Sequence, residues 1–188
     1  MIEPGAIVEE KTIPQGVVVI RYPQEGDAPG LLEFINRLSE EQTFILFQGE
    51  QLTLEQEESW LSGRLNELAT RSGITLCAML GDLVVGTTAI TRKGLAERHI
   101  GVLGISIRDG YRGAGLGGAL FDAVVREAAT HLDGLRIVEL GVFGNNPVAR
   151  RLYESRGFEV HGVLPGGVRH RGEYVDHILM HRMIEQPA

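Results

Sequence analysis

Apolar positions along the chain switch between a period of two and a period near 3.6, and the switches divide it into strands and helices. Val17-Val18-Val19-Ile20-Arg21-Tyr22 is β-branched and is closed by Pro23 and the turn-forming Glu25-Gly26-Asp27, which predicts a strand. Across residues 28–39 the spacing of Leu31, Leu32, Ile35 and Leu38 becomes helical. Phe44-Ile45-Leu46-Phe47 is apolar but too short to type. Thr53-Leu54-Glu55-Gln56 carries a capping-box pattern, and Leu54, Leu61, Leu65 and Leu68 continue one helical face toward Gly73. On that helix Trp60 reads as a packing anchor and Glu55, Glu57 and Glu58 as a solvated face. Residues 74–80 and 83–91 are strand-like runs joined by Gly81-Asp82, an antiparallel hairpin signal.

The second half continues the alternation. In the strand predicted over 100–107, Ile100 and Val102 fall on one face and Leu103, Ile105 and Ile107 on the other, so a β-bulge is expected near Leu103-Gly104. Tyr111-Arg112-Gly113-Ala114-Gly115-Leu116-Gly117-Gly118 then leads into a helix whose inner stripe is Leu116, Ala119, Leu120, Ala123, Val124 and Ala128. Residues 136–142 form a strand. Asn146-Pro147 opens a helix, Asn as cap and Pro in the first turn, that carries Ala149, Leu152 and Tyr153 inward and stops at Gly157. Strands over 158–164 and 174–184 close the chain, separated by Pro165-Gly166-Gly167 and a basic stretch with Arg169, His170 and Arg171. The first fifteen residues, with Pro4, Gly5 and Pro14, read as an extended or partly ordered lead-in, leaving residues 16–188 as a single domain.

Composition narrows the functional classes. With 25 acidic and 18 basic residues and a net charge of -7, the chain lacks the basic surface that a nucleic-acid partner requires. Cys77 is the one cysteine, which excludes an internal disulfide, fits a reducing cytosol and reads as a small buried hydrophobe. No apolar run approaches the ~20 residues of a membrane span and no leader is visible, so a cytoplasmic protein without a membrane partner is expected. His161, His170, His177 and His181 match no ligand spacing, and no metal is expected.

Candidate chemistry concentrates at the glycine loop. Glycines bring backbone N–H groups close to a ligand, and a helix beginning there adds its unpaired donors and the positive end of its dipole, so a phosphate is the natural occupant. Gly113, Gly115 and Gly118 satisfy the G-x-G-x-x-G spacing of dinucleotide-binding folds. Against that reading, five residues from Arg108 to Arg112 intervene after the strand, and the preceding strands look like antiparallel hairpins rather than a parallel sheet.

Arg112-x-x-Gly115-x-Gly117, followed by Leu140-x-Val142, Asn146-x-x-Ala149-x-x-Leu152-Tyr153 and Gly157-Phe158, resembles the GNAT superfamily of acetyl-CoA-dependent N-acetyltransferases. The resemblance spans roughly residues 102–158 and implies an α/β (α+β) fold. Its mixed, mostly antiparallel sheet would have about six or seven strands, a splayed central pair and about four flanking helices. It also implies a cleft for acetyl-CoA as co-substrate, with the pantetheine arm on backbone groups of Ile105, Ser106 and Ile107. The pyrophosphate would lie on the N–H groups of Gly113, Ala114, Gly115, Leu116 and Gly117, beside Gly118 and with Arg112 pairing the phosphate. Asn146 would touch the cofactor arm, and Tyr153 would both contact the cofactor and protonate the departing thiolate. The implied reaction is direct acetyl transfer to a primary amine of a small molecule or a peptide amino terminus, with a homodimer compatible. A non-catalytic acyl-CoA-binding or sensing domain is the alternative. Where some relatives carry a glutamate between the Leu and Val of the second block, this chain has Gly141, so the base is unassigned among Glu139, Glu173 and the histidines.

Overall fold

A computed structural model describes residues 2–184. One eight-stranded sheet carries the whole fold. In chain order the strands are β1 (Ile7–Ile13), β2 (Gly16–Arg21), β3 (Gly73–Leu80), β4 (Leu83–Arg92), β5 (Ile100–Ile107), β6 (Ile137–Phe143), β7 (Glu159–His170) and β8 (Glu173–Met183). The helices are α1 (Ala28–Glu40), α2 (Leu54–Thr70), α3 (Leu116–His131) and α4 (Pro147–Glu154). Across the sheet the order is β1-β2-β3-β4-β5-β6-β8-β7. Every neighbouring pair is antiparallel except β5 with β6. The sheet exceeds the six or seven strands expected because the lead-in is ordered: its residues 7–13 pair with β2 as an edge strand.

Local rules account for most elements. The Thr53 hydroxyl accepts from the Gln56 N–H at 3.3 Å and Gln56 Oε1 accepts from the Thr53 N–H at 2.8 Å, closing the capping box of α2. Asn146 Oδ1 accepts from the Ala149 N–H at 3.1 Å and so caps α4. The Gly81-Asp82 hairpin forms as expected, with Leu80 opposite Leu83. On α2, by contrast, Leu61 and Leu68 are buried while Leu54 and Trp60 are exposed, and the Arg64 guanidinium lies 5.6 Å from the Trp60 ring centroid. Trp60 is therefore not a packing anchor. Glu57 leaves the solvated face and is buried, and desolvation raises its carboxyl pKa.

Two further expectations are corrected. The β4–β5 register runs without interruption from Gly86 opposite Ile107 to Arg92 opposite Gly101, so no bulge occurs at Leu103-Gly104. Parity is met instead by exposing Val102 and burying Leu103, and a register shift occurs in the neighbouring β3–β4 pairing, between Ala78 and Met79 of β3. The expected loop over Pro165 to Arg171 is largely strand. β7 runs to His170, and a register shift between Leu164 and Val168 absorbs Pro165, Gly166 and Gly167 as a bulge on an edge strand, where a missing N–H is tolerated.

The two faces of the sheet hold different cores. On one side α3 packs Leu116, Leu120, Phe121, Ala123, Val124 and Ala128 against Ile20, Leu76, Leu103, Val138, Leu140 and Met180. On the other, Ala28, Leu31, Phe34 and Leu38 of α1 and Leu61 of α2 cover Cys77, Met79 and Val84. Leu120 sits at the centre of the first core with no exposed surface. Leu120→Ala is expected to lower unfolding stability by about 2–5 kcal/mol, measured as a fall in the urea midpoint at unchanged m-value.

Candidate functional site

The parallel pairing of β5 with β6 is brief: Ile100 opposes Ile137, Gly101 opposes Val138 and Val102 opposes Glu139, and no pair follows. From there the strands part. The edge of β5 from Leu103 to Ile107 and that of β6 from Leu140 to Phe143 have no ladder partner on the side facing each other, leaving an opening between the two strands. Ile105, Ser106 and Ile107 line its β5 side, each half-buried. Strand edges of this kind keep backbone donors and acceptors free for an extended ligand.

The glycine loop closes the wide end. Gly113 and Gly115 hold φ of +79° and +78°, a left-handed conformation that glycine adopts without strain, and Gly115 is the N-cap of α3. Because of this path the backbone N–H groups from Arg112 through Gly118, among them those of Gly113, Ala114, Leu116 and Gly117, have no protein acceptor among the described residues. They fall at the positive end of a 16-residue helix. A Cβ on Gly117 would meet Leu152 and Ile107 at ordinary distances, whereas one on Gly118 would stand 2.5 Å from the Arg156 guanidinium. That guanidinium is itself fixed on Asp122, at 3.0 and 3.2 Å.

Arg112 is engaged by protein groups. Its Nε donates to the Ile107 carbonyl at 2.8 Å, and its Nη atoms lie 3.0 Å from Glu41 and 3.4 Å from Asp109. Arg108 pairs in turn with Glu33. Of these three acids, Glu33 belongs to α1 and Glu41 is the residue that ends it, so the loop is tied to the helix on the opposite face of the sheet from α3.

Tyr153 lies in the core under α3, 8% exposed, its ring centroid 6.4 Å from that of Phe121 and 6.0 Å from that of Phe158. Burial raises its phenol pKa to about 12, so the group stays protonated throughout the neutral range. Its hydroxyl has no hydrogen-bond partner among the described residues. The Asn146 side chain, at the mouth of β6, spends its oxygen on the α4 cap.

The other face of the opening was poorly visible in sequence. The untyped segment after α1 forms an irregular loop held by its own polar groups: Gln48 Nε2 donates to the carbonyls of Thr43 and Ile45, and Ser39 Oγ donates to that of Glu50. This loop carries Phe44 over His170, with centroids 4.6 Å apart, and His170 packs edge-on to Phe143 at 5.5 Å. His170 is buried with both nitrogens occupied, Nε2 donating to the Gln42 carbonyl at 3.0 Å and Nδ1 accepting from Asn145 Nδ2 at 2.9 Å. Of the acids considered as a base, Glu139 is held by Lys93 at 2.7 Å at the closed end of the opening, and Glu173 is exposed at the turn between β7 and β8. Cys77 is fully buried, and desolvation pushes its thiol up to about 12, which removes it as a nucleophile.

Comparison with known proteins agrees with this geometry. Residues 32–158 match the model of the acetyltransferase (GNAT) family. Over 118 residues, 62% of this chain and 72% of the relative, the chain is 30% identical to the L-amino acid N-acetyltransferase AaaT of Escherichia coli K12. A GNAT-family acetyltransferase structure from Streptococcus pneumoniae superposes with TM-score 0.81 at 32% identity, over 89% of this chain and 99% of that one. A phosphinothricin acetyltransferase from Sinorhizobium meliloti, solved with acetyl-CoA, shares the fold at TM-score 0.76 and 18% identity, over 91% and 90% of the two chains. No helix among the described residues is long and apolar enough to cross a membrane.

The left-handed backbone at Gly115 is a direct test of this loop. Gly115→Ala should cost about 1–2 kcal/mol of stability, read by urea denaturation, because an L side chain is strained at that φ.

Proposed function

The chain belongs to the GNAT family of acetyltransferases, which use acetyl-CoA as co-substrate, and on that premise we propose that it transfers the acetyl group to a primary amine of a small molecule or a peptide amino terminus. The observation that carries the reading is the pairing of a splayed strand edge with a run of free N–H groups at a helix N-terminus. The N–H groups of Gly113 to Gly117 suit a pyrophosphate, and the uncovered edge at Ile105, Ser106 and Ile107 suits an extended pantetheine arm whose amides complete the ladder. Arg112 then shapes the loop from beneath through Ile107 and Glu41, and Gly118 leaves room for Arg156. Asn146 sets the start of α4 and borders the arm.

In the reaction the amine nitrogen forms a bond to the acetyl carbonyl carbon as the carbon–sulfur bond breaks. Backbone N–H groups of the β5 edge stabilise the oxyanion, and Tyr153 gives its proton to the departing thiolate. A phenol held protonated by burial is suited to that role. The similarity to an L-amino acid N-acetyltransferase makes an amino acid the first acceptor to try, and the aromatic group of Phe44, Phe143 and His170 offers an apolar wall for its side chain. The sensing alternative keeps one observation in its favour, the absence of a carboxylate at Gly141.

Calorimetry with acetyl-CoA and a thiol-release assay over a panel of amino acids, small amines and peptide amino termini separate the two. Turnover with mass-confirmed acetylated product is expected; binding with no thiol release on any acceptor would favour the sensor. Tyr153→Phe should lower kcat by ~10²-fold or more with acetyl-CoA affinity nearly unchanged. With Tyr153 raised to about 12, the alkaline loss of activity should fall well above the ordinary tyrosine value near 10, since the protonated phenol is the active form.

A further inference from the structure

Gly141 lies in the middle of β6 with its backbone exposed on the face of the sheet opposite α3. The space above it is filled by a side chain from the neighbouring strand. A Cβ built on Gly141 would overlap Nε2 of His177 and would stand 2.7 Å from its Cε1 and 3.0 Å from its Cδ2. A Cβ on Gly167, in the β7 bulge, would lie 2.9 Å from the Cβ of the same histidine. Two glycines on flanking strands thus make room for one imidazole. The register explains the meeting: Gly141 opposes Leu179, Phe143 opposes His177, and alternation puts Gly141, Phe143, His177 and Leu179 on one face.

We infer that His177 is the base of the acetyl transfer, its imidazole delivered from β8 into the place that a side chain at position 141 would occupy. This rests on the transferase reading above. Gly141 belongs to the part of β6 that has separated from β5, so the ring stands at the opening rather than at its closed end. Its nitrogens have no protein hydrogen-bond partner among the described residues, in contrast to His170, whose two are both committed. Tyr153 packs in the core on the α3 side, so acid and base approach the thioester from opposite faces of the sheet. An amine arriving as an ammonium gives one proton to His177, and the resulting neutral amine attacks. As the carbon–sulfur bond breaks, Tyr153 protonates the thiolate; the second amine proton is lost to water after addition, His177 returns its proton to water, the phenol regains one from water, and the net release is one proton per acetyl transferred.

The groups around His177 leave its ring nitrogens uncommitted among the described residues. Its same-face neighbours on β8 are Val175 and Leu179, β6 offers Phe143, and β7 places Leu164 opposite it. Farther along that face, Glu139 is paired with Lys93, while His161 and His181 pack against each other edge to face. Phe44 of the loop after α1 and the committed His170 of β7 both pack on Phe143, the residue opposite His177. Asp176 points to the other face and accepts from the Gly166 N–H at 3.1 Å. Glu57 sits on α2, which packs on β3, two strands from β5.

The test uses the full chain and an acceptor that the wild type turns over in the amine panel. His177→Gln should lower kcat by ~10²-fold or more at neutral pH, leave acetyl-CoA affinity within about twofold, and abolish the acidic limb of the kcat/KM profile. Gly141→Ala, which displaces the ring, should reproduce the loss. Gly141→Glu combined with His177→Ala should regain at least tenfold over His177→Ala alone, with an acidic limb at lower pH, because a carboxylate then fills the same space. Circular dichroism and acetyl-CoA binding confirm that each variant is folded. Wild-type kcat and an unchanged pH profile in His177→Gln would overturn the assignment while leaving the transferase intact. Acetyl-CoA binding by the wild type without turnover of any amine would overturn both.

Discussion

The early end of one strand pairing governs this molecule. Among the described residues β5 and β6 are the sole parallel neighbours in the sheet, and they stay paired for three residue pairs. A sheet that parts in its middle loses ladder hydrogen bonds on two edges, each worth about 0.5–1.5 kcal/mol net, and must recover the stability elsewhere. Here the core under α3 spans the split, joining Ile20, Leu76 and Leu103 of one half to Val138, Leu140 and Met180 of the other, while the core under α1 and α2 braces β3 and β4 of the first half from the opposite face. β8 contributes as well, pairing with β6 along all seven of its residues. The opening is therefore held by its surroundings, and it joins the two faces of the sheet at one point.

The two faces of the sheet beside that opening carry groups with different requirements. On the α3 side a phenol is kept neutral by apolar rings. On the other, the surface is a mixture of aromatic and imidazole groups reached from the loop after α1. Between them runs a strand edge whose free backbone groups suit an amide-bearing chain, ending at donors suited to an anion. A division of labour by face needs no residue to perform two tasks, and it explains why the side chains of interest come from β6, β8, α4 and a loop rather than from one motif.

How much of this was legible in the sequence follows from how local each cause is. The capping box at Thr53, the Asn146 cap, the Gly81-Asp82 turn and the glycine loop depend on a few adjacent residues, and each formed where its spacing indicated. The extra strand β1 was hidden because its glutamates and lysine alternate imperfectly and its partner is what makes it a strand. Pro165-Gly166-Gly167 read as a loop because proline and glycine usually end strands, yet an edge strand with a bulge accommodates them. Parity in β5 suggested a bulge there, whereas exposure of Val102 solved the same conflict without one. Phe44, Phe143 and His170 meet from three distant segments, and Gly141 faces His177 across a strand pair; no one-dimensional pattern encodes either. Gly141 stood out only as the wrong residue in a recognised motif, and the three-dimensional reason for it lay thirty-six positions away.

The ties between Arg108 and Glu33 and between Arg112 and Glu41 join the glycine loop to α1, and α1 leads directly into the loop that carries Phe44. If the glycine loop seats the phosphates and Phe44 borders the acceptor, as proposed, acceptor preference and cofactor affinity are not independent variables. A change in α1 at the expense of either glutamate would then loosen both, so divergence toward a new acceptor would have to proceed around those two carboxylates or with compensating change in the loop they brace.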